Sequence, residues 1–242
     1  MRILVISDIH ANLTALQAVL SDAGEIDAVW CLGDLVGYGP DPNDCIALVR
    51  QLPRLSCLLG NHDAAALNQI DIAAFNPEAR RAVMWTQNVL SPDNYEYLSS
   101  LPEKVVEGEV TLAHGSPRQP IWEYLLDTRT ATQNFDYFET GFCFVGHSHL
   151  PVIFQLYNGE GSARLQVPRP QYSLPMAPRA IFNPGSVGQP RDKNPHASYA
   201  LFDPDERIWE YRRVIYDVTS VQTRMREAKL PPRHIARLST GV

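Results

Sequence analysis

The chain has 242 residues, of which 45% are hydrophobic and 20% charged, and its formal net charge is -6 at pH 7. This composition excludes a disordered chain and predicts a globular protein with a substantial core. The acidic balance argues against general nucleic-acid binding and against a membrane-surface protein. No apolar run approaches the roughly 20 residues that span a bilayer, and the first residues read as a strand and not as a signal peptide, so we expect a cytoplasmic protein.

The N-terminal part of the chain alternates strand and helix patterns. Strands are predicted at 2–7, 28–32 and 55–59, with helices near 12–22 and 43–52 between them. This order implies parallel strands joined by right-handed crossovers. Functional loops are then expected at the carboxyl ends of these strands.

The middle of the chain departs from this alternation. Residues 64–105 lack strand patterning and predict a helical insertion punctuated by prolines. Strands resume at 110–113 and 143–145, with a helix near 127–138 between them. No linker divides the sequence, so we expect a single domain over residues 1–242.

The C-terminal part predicts antiparallel strands, because strand-like runs follow one another with turn residues and little helix between them. These runs lie at 152–157, 163–167, 179–183, 198–203 and 208–216, and a helix near 218–228 follows. His234, which lies among Arg233 and Arg237, is expected on the solvated surface. The four cysteines lie in or beside apolar runs without Cys-x-x-Cys spacing, which predicts buried free thiols.

Five short polar clusters directly follow apolar runs and contain the residues suited to chemistry. At the end of a strand, residues i and i+2 project to the same side, so Asp8 with His10, and His147 with His149, can each aim two side chains into one cavity. Carboxylate, amide and imidazole groups are ligands of divalent first-row metals. One such cluster alone is weak evidence, but five in order predict a metal site. The clusters are Asp8-x-His10, Gly33-Asp34, Gly60-Asn61-His62-Asp63, His114-Gly115 and Gly146-His147-Ser148-His149.

This series of clusters resembles that of the calcineurin-like binuclear metallophosphoesterases, which is Asp-x-His, Gly-Asp, Gly-Asn-His-Asp/Glu, a lone His and Gly-His-x-His. The resemblance covers about residues 1–200. The run Asn183-Pro184-Gly185-Ser186-Val187-Gly188-Gln189-Pro190-Arg191 is similar to the ending of the compact bacterial and archaeal phosphodiesterase-like branch. The resemblance implies an α/β fold, a four-layer α/β/β/α sandwich of two mixed β-sheets flanked by helices.

The same resemblance implies two divalent metal ions and a hydroxide between them that attacks phosphorus, without a Ser or Cys nucleophile. Oxygen and nitrogen ligands suit manganese, iron, nickel, cobalt or zinc, so the identity of the metals stays open. The resemblance implies that one ion is bound by Asp8, His10 and His149, that the other is bound by Asn61, His114 and His147, and that Asp34 bridges both.

His62 resembles the family's catalytic histidine, which stabilises the charged transition state or protonates the leaving oxygen. Asp63 is expected to orient that imidazole and to raise its pKa, because a neighbouring carboxylate favours the protonated form. Arg191, Tyr38 and Arg118 are candidates for substrate contact, since arginine binds phosphate well. Trp122 and Tyr124 either face a nucleobase or form a hydrophobic cap.

The function that this resemblance implies is metal-dependent hydrolysis of a small phosphoester, such as a nucleotide. Serine/threonine phosphatases of the superfamily carry an arginine soon after the Gly-Asp motif, a glutamate at the position of Asp63, and a phosphate-binding arginine pair. None of these is evident here, which favours a phosphodiesterase. The alternatives are a phosphomonoesterase and, because the superfamily includes a retromer subunit, a protein-binding scaffold. A homo-oligomer is compatible with the sequence, and segments 64–105 and 116–127 are expected to shape specificity.

Overall fold

The computed structural model describes residues 1–157 and 159–242. Two six-stranded mixed β-sheets pack face to face and carry helices on their outer sides. The expected α/β sandwich is therefore confirmed.

The strands are β1 (Ile3–Ile6), β2 (Ala28–Cys31), β3 (Leu55–Cys57), β4 (Lys104–Glu107), β5 (Val110–Ala113), β6 (Phe142–Phe144), β7 (Pro151–Gln155), β8 (Arg164–Gln166), β9 (Tyr172–Pro175), β10 (Ala180–Pro184), β11 (Ala197–Asp203) and β12 (Ile208–Val214). The helices are α1 (Leu13–Ala23), α2 (Pro42–Val49), α3 (Asn61–Ala66), α4 (Pro77–Val89), α5 (Pro92–Ser99), α6 (Thr128–Asn134), α7 (Val218–Glu227) and α8 (Pro232–Thr240). Short 3-10 helices lie at Ile72–Ala74 and Phe135–Tyr137.

Each sheet combines parallel strands in its functional part with antiparallel partners. The first sheet has the order β3-β2-β1-β11-β12-β9, in which β1, β2 and β3 are parallel. The second has the order β4-β5-β6-β10-β7-β8, in which β5, β6 and β10 are parallel. The parallel strands of each sheet therefore bring their carboxyl ends to a common edge.

Three apolar layers hold the sandwich together. Between the sheets lie large side chains such as Trp30, Phe144 and Trp209. The outer face of the first sheet is covered by most of the helices, with Leu16 and Met225 in the interface. A smaller cluster under α6 covers the second sheet. Since both faces of the central strands are buried, these strands are continuously apolar in sequence.

Three elements differ from the sequence prediction. Residues 104 and 105, assigned to the helical insertion, begin the edge strand β4, whose exposure alternates along its length. Strand β9 was not predicted, because its side chains are mostly exposed and lack an apolar pattern. Helix α8 was also missed, and the prediction of a solvated His234 is wrong, because that residue lies on the buried face of α8 with Ile235 and Leu238.

The cysteines agree with expectation: within the described residues all four are buried and unpaired. Cys31 and Cys57 lie opposite each other on β2 and β3. No helix in the part of the chain that the structure describes is both long and apolar enough to cross a membrane.

Candidate metal centre

Seven candidate metal ligands gather at the shared edge of the two sheets. The first sheet contributes Asp8 and His10 after β1, Asp34 after β2 and Asn61 after β3. The second contributes His114 after β5, with His147 and His149 after β6. All seven are nearly or completely buried. The side chains thus converge because the parallel strands that precede them end at the same edge.

The first ligand group consists of Asp8, His10, Asp34 and His149, each offering one ligand atom within 4.8 Å of the others. Nε2 of His10 lies 3.0 Å from Nε2 of His149. Oδ1 of Asp8 lies 3.3 Å from Nε2 of His149, and Oδ2 of Asp34 lies 3.6 Å from Nε2 of His10. These are the residues expected around one metal ion.

The second ligand group consists of Asp34, His114 and His147, with ligand atoms within the same 4.8 Å. Nε2 of His114 lies 3.4 Å from Oδ2 of Asp34 and 3.2 Å from Oδ1 of Asn61. The same oxygen of Asp34 therefore lies against a histidine of each group. This arrangement matches the expected bridging position.

Backbone carbonyls fix the orientation of all four imidazoles. A carbonyl oxygen can only accept a hydrogen bond, so the ring nitrogen that faces it carries a proton and the other nitrogen is the one that can bind a cation. The donors and acceptors are His10 Nδ1 to Val36 O (3.1 Å), His114 Nδ1 to Leu32 O (2.8 Å), His149 Nδ1 to Gln189 O (2.5 Å) and His147 Nε2 to Trp122 O (3.2 Å). Each ring is thereby preset to bind a cation.

The two carboxylates each leave one oxygen without a hydrogen-bond partner. Asp8 Oδ2 accepts from the backbone N–H of His147 at 3.1 Å, and Asp34 Oδ1 accepts from that of His62 at 2.8 Å. Asp8 Oδ1 and Asp34 Oδ2 are buried and unpaired. Such groups are costly unless a cation or donor satisfies them. The donor set of carboxylate oxygens, an amide oxygen and imidazole nitrogens therefore fits two divalent metal ions.

The backbone at the ligands is strained in a way that sequence does not show. Asp8, His10, Asp34, His147 and His149 all have left-handed φ values, from +48° to +64°. This conformation is uncommon outside glycine, and it persists where the surrounding fold enforces it, often at functional sites. Residues in this left-handed conformation direct their side chains toward the common edge of the two sheets.

Burial raises the pKa of a carboxyl group and lowers the pKa of an imidazole, and nearby charges can oppose it. Burial raises the pKa of Asp8 to about 7 and lowers the pKa of His147 to about 3. Burial also disfavours the charged form of His114, but the carboxylates of Asp34, 3.4 Å away, and of Asp8 together raise the pKa of His114 to about 9. A cation that binds His114 must therefore displace a proton at neutral pH.

His62 lies above the ligands, at the start of α3. Its ring is 4.9 Å from the ring of His10, 4.3 Å from that of Tyr38 and 5.0 Å from that of Phe75. Nδ1 is buried and unpaired beside Gly37, so Nε2 is the nitrogen left for the adjacent cavity. Burial lowers the pKa of His62 to about 4.

Asp63 does not orient His62 as predicted. Its Oδ1 accepts from the backbone N–H of Val36 and its Oδ2 from that of Gly60, both at 3.0 Å. Both oxygens are therefore occupied in joining the loop after β2 to the loop after β3. The expected raising of the His62 pKa by Asp63 is likewise absent, since burial dominates.

A cavity of about 240 Å³ adjoins the ligands and is lined by His62, Tyr38, Phe75, Trp122, Arg191 and Arg237, among others. Phe75 belongs to the segment 64–105 and Trp122 to the loop 116–127, so both segments expected to shape specificity reach it. The Trp122 ring packs on that of Phe75 at 5.4 Å, and the Tyr124 ring stacks on that of His147 at 3.8 Å.

Tyr38 and Arg191, two of the predicted substrate contacts, lie at this cavity and touch each other. Nη2 of Arg191 donates to the Tyr38 hydroxyl at 3.3 Å and to Oε1 of Gln189 at 3.1 Å. Arg237, on α8, was not singled out from the sequence, although it also lines the cavity. The available signal was the stripe of residues that α8 buries, because it identifies the helix that carries Arg237.

The prediction for Arg118 is corrected by its contacts. Its guanidinium pairs with Glu123, and that carboxylate also accepts from Ser116 Oγ at 2.7 Å and from Asn134 Nδ2 at 2.8 Å. A carboxylate five residues away in sequence satisfies the arginine, which is not among the residues that line the cavity. The cluster centred on Glu123 instead anchors the loop whose Trp122 carbonyl holds His147.

Comparison with known proteins places this geometry in context. The model of the calcineurin-like phosphoesterase superfamily domain matches residues 1–207. An uncharacterised protein of Methanocaldococcus jannaschii is 40% identical over 237 residues, which cover 95% of this chain and 93% of the relative. The crystal structure of a metallophosphoesterase from Sphaerobacter thermophilus superposes with a TM-score of 0.91 at 47% identity, over 100% of this chain and 99% of that one. A symmetrical bis(5'-nucleosyl)-tetraphosphatase of Pectobacterium carotovorum is 38% identical over 63 residues, which are 24% of this chain and 22% of the relative.

Proposed function

The chain belongs to the calcineurin-like phosphoesterase superfamily, and from that premise we propose that it is a metal-dependent phosphodiesterase that acts on a small phosphoester. The observation that carries this proposal is the position of Asp34. Its buried, unpaired Oδ2 lies 3.6 Å from Nε2 of His10 and 3.4 Å from Nε2 of His114. One carboxylate thus serves both ligand groups, as a two-metal site requires.

Two divalent cations held by these groups would polarise the phosphate oxygens and lower the pKa of a water molecule that serves as nucleophile. The chain's own residues supply the remaining functions. His62, which its pKa of about 4 leaves neutral at pH 7, offers Nε2 to the cavity, from which an Nε2–H can donate to the leaving oxygen or stabilise developing charge. Tyr38, whose ring packs 4.3 Å from that of His62, lines the same cavity, and Asp63 holds the two loops that position His62.

The preference for a diester rests on the sequence around the Gly-Asp motif. The segment after Asp34 carries no arginine, and Asp63 stands where phosphomonoesterases acting on proteins have glutamate. The local match to bis(5'-nucleosyl)-tetraphosphatases supports a nucleotide as the small phosphoester.

A phosphomonoesterase is the second candidate, and one observation favours it. Arg191 and Arg237 both line the cavity, and two guanidinium groups suit the dianion of a phosphate monoester. This arginine pair was not evident in the sequence, because its members come from separate elements.

The deciding experiment compares hydrolysis of bis(p-nitrophenyl) phosphate and p-nitrophenyl phosphate by metal-stripped protein after separate additions of Mn²⁺, Ni²⁺, Co²⁺, Zn²⁺ and Mg²⁺. We expect metal-dependent cleavage with the diester preferred. Preference for the monoester would support the second candidate. Absence of turnover with every metal would reject both and favour a protein-binding scaffold.

The role of His62 is tested in the same assay with the His62→Ala variant. Turnover should fall by about 10²-fold or more, the range for removal of a general acid. The metal content, measured by elemental analysis, should match that of the wild type, because the His62 side chain is outside both ligand groups. Loss of metal from this variant would contradict the assignment.

A further inference from the structure

Two arginines from distant parts of the chain meet at one side of the cavity. Arg191 follows β10, and Arg237 lies on α8. Both donate to the same atom, Oε1 of Gln189, from Nη2 of Arg191 at 3.1 Å and from Nη1 of Arg237 at 3.2 Å. A single amide oxygen therefore brings two positive charges together.

The charges of this arginine pair are not balanced by acidic side chains. Among residues 1–157 and 159–242, no Asp or Glu forms an ion pair with Arg191 or Arg237, and the further contact of Arg237 is from its Nε to the main-chain oxygen of Val242 at 2.6 Å. Nε of Arg191 is buried without a hydrogen-bond partner. Burial and the charge of Arg191 lower the pKa of Arg237. An anion between the two guanidiniums would relieve their repulsion.

The pair lies beside the metal ligands, and the Tyr38 ring contacts both His10 of the ligands and Arg191 of the pair. The Tyr38 ring packs 4.6 Å from the ring of His10, and Cζ of Arg191 lies 5.7 Å from the Tyr38 ring centroid. The phosphate under attack must sit against the metal ligands. The guanidiniums are therefore placed for a neighbouring group of the same substrate.

We propose that Arg191 and Arg237 form a subsite for a second phosphate group, next to the phosphate that is hydrolysed. The substrate class is then an organic phosphoester that carries a diphosphate, with its organic part against Phe75 and Trp122. This inference rests on the proposed hydrolase function. Arg237 lies beyond residues 1–207, which the superfamily model matches, so the subsite depends on α8 of this chain.

The test is equilibrium binding, measured by calorimetry on metal-loaded protein. The two probes are adenosine 5'-monophosphate and adenosine 5'-(α,β-methylene)diphosphate, whose P–C–P link cannot be hydrolysed, and both are checked for intact ribose ester after the titration. Because the diphosphonate also chelates metals, the informative quantity is the change in the ratio of the two dissociation constants on substitution. Arg237→Gln removes the charge, Arg237→Lys retains it, and Arg233→Gln is the matched control, an exposed arginine on the same helix.

We expect the wild type to bind the diphosphonate more tightly than the monophosphate, and Arg237→Gln to reduce that ratio by about tenfold or more, as for loss of a charged hydrogen bond. Arg237→Lys should restore part of the ratio, and Arg233→Gln should leave it unchanged. If Arg237→Gln weakens both probes equally or neither, the subsite is refuted.

Hydrolysis of bis(p-nitrophenyl) phosphate by the wild type separates this inference from the proposed function. Turnover of that diester with an unchanged binding ratio in Arg237→Gln overturns the subsite and leaves the hydrolase function standing. If the ratio of the two dissociation constants depends on Arg237 but the wild type turns over no ester, the anion subsite is supported and the hydrolase function is overturned.

Discussion

Gly37 has a backbone φ of +90°, and a Cβ atom at this position would lie 2.5 Å from Nδ1 of His62. The Gly37→Ala substitution therefore acts on His62 through a single added methyl group. The imidazole cannot retreat sideways, because the rings of Tyr38 and Phe75 pack against it. It must move toward the cavity, away from the position that presents Nε2 to a substrate.

Two effects of different size follow from this one change. Forcing alanine into a left-handed conformation costs about 1–2 kcal/mol of folding free energy. Displacing a histidine that acts on the transition state costs about 10²–10⁴-fold in turnover. We expect Gly37→Ala to lose at least about 10²-fold in kcat and to resemble His62→Ala, whose loss has the same cause. The metal content should be that of the wild type, because the three atoms nearest to the added methyl group all belong to His62, which is outside both ligand groups.

The assay is kcat for bis(p-nitrophenyl) phosphate, together with elemental analysis and thermal denaturation. Gly24→Ala is the matched control, since Gly24 also has a positive φ, +68°, but a Cβ there would meet no atom within 4 Å. Both variants should lose stability through the positive φ, Gly37→Ala the more because of its contact with His62, and only Gly37→Ala should lose turnover. Wild-type kcat in Gly37→Ala, or loss of its metal, would refute the reasoning.

Three further predictions concern the ligands and their supports. Asp34→Asn should bind fewer than two metal ions per chain by elemental analysis, because its oxygen is shared by both groups, and retention of two would contradict a bridging role. Glu123→Gln should lower the affinity only for the metal held by His147, by up to about tenfold, because Glu123 anchors the loop whose Trp122 carbonyl accepts a hydrogen bond from that histidine. Chelator competition should reveal two sites of unequal affinity, and equal losses at both would argue against this role. Adding metal to stripped protein at pH 7.5 should release a proton, because a pKa of about 9 keeps His114 protonated at that pH until a cation binds. Titration calorimetry in buffers of different ionisation enthalpy detects the released proton, and binding heats that do not depend on the buffer would contradict the prediction.

The positions of the ligand clusters could be predicted from sequence because they depend on local pattern. Asp8, Asp34 and His114 each follow a buried apolar strand, and the structure places them at the ends of β1, β2 and β5. Parallel neighbours then bring them to one edge without any further information. The left-handed backbone of Asp8 and Asp34 has no comparable signature, since only glycine announces such a conformation in sequence.

Contacts between distant loops could not be predicted in this way. Asp63 binds the backbone of Val36, and nothing near either residue reveals that partner. The position of His234 and Arg237 depends on how α8 docks against α7, and that docking is a property of the assembled core. Arg118 is a different case, because Glu123 was close enough in sequence to suggest the ion pair.

Each ligand group draws on both sheets: three residues of the first group follow strands of the first sheet, while His149 follows β6 of the second. The second group joins Asp34 to His114 and His147 in the same manner. Bound cations would fasten the two layers at one edge, so that the layers cannot slide apart without releasing them. Metal binding would then contribute to the stability of the sandwich, and the melting temperature of the protein should rise with the logarithm of the free metal concentration. A chelator would consequently loosen strands far from the cavity as well as stop the chemistry within it.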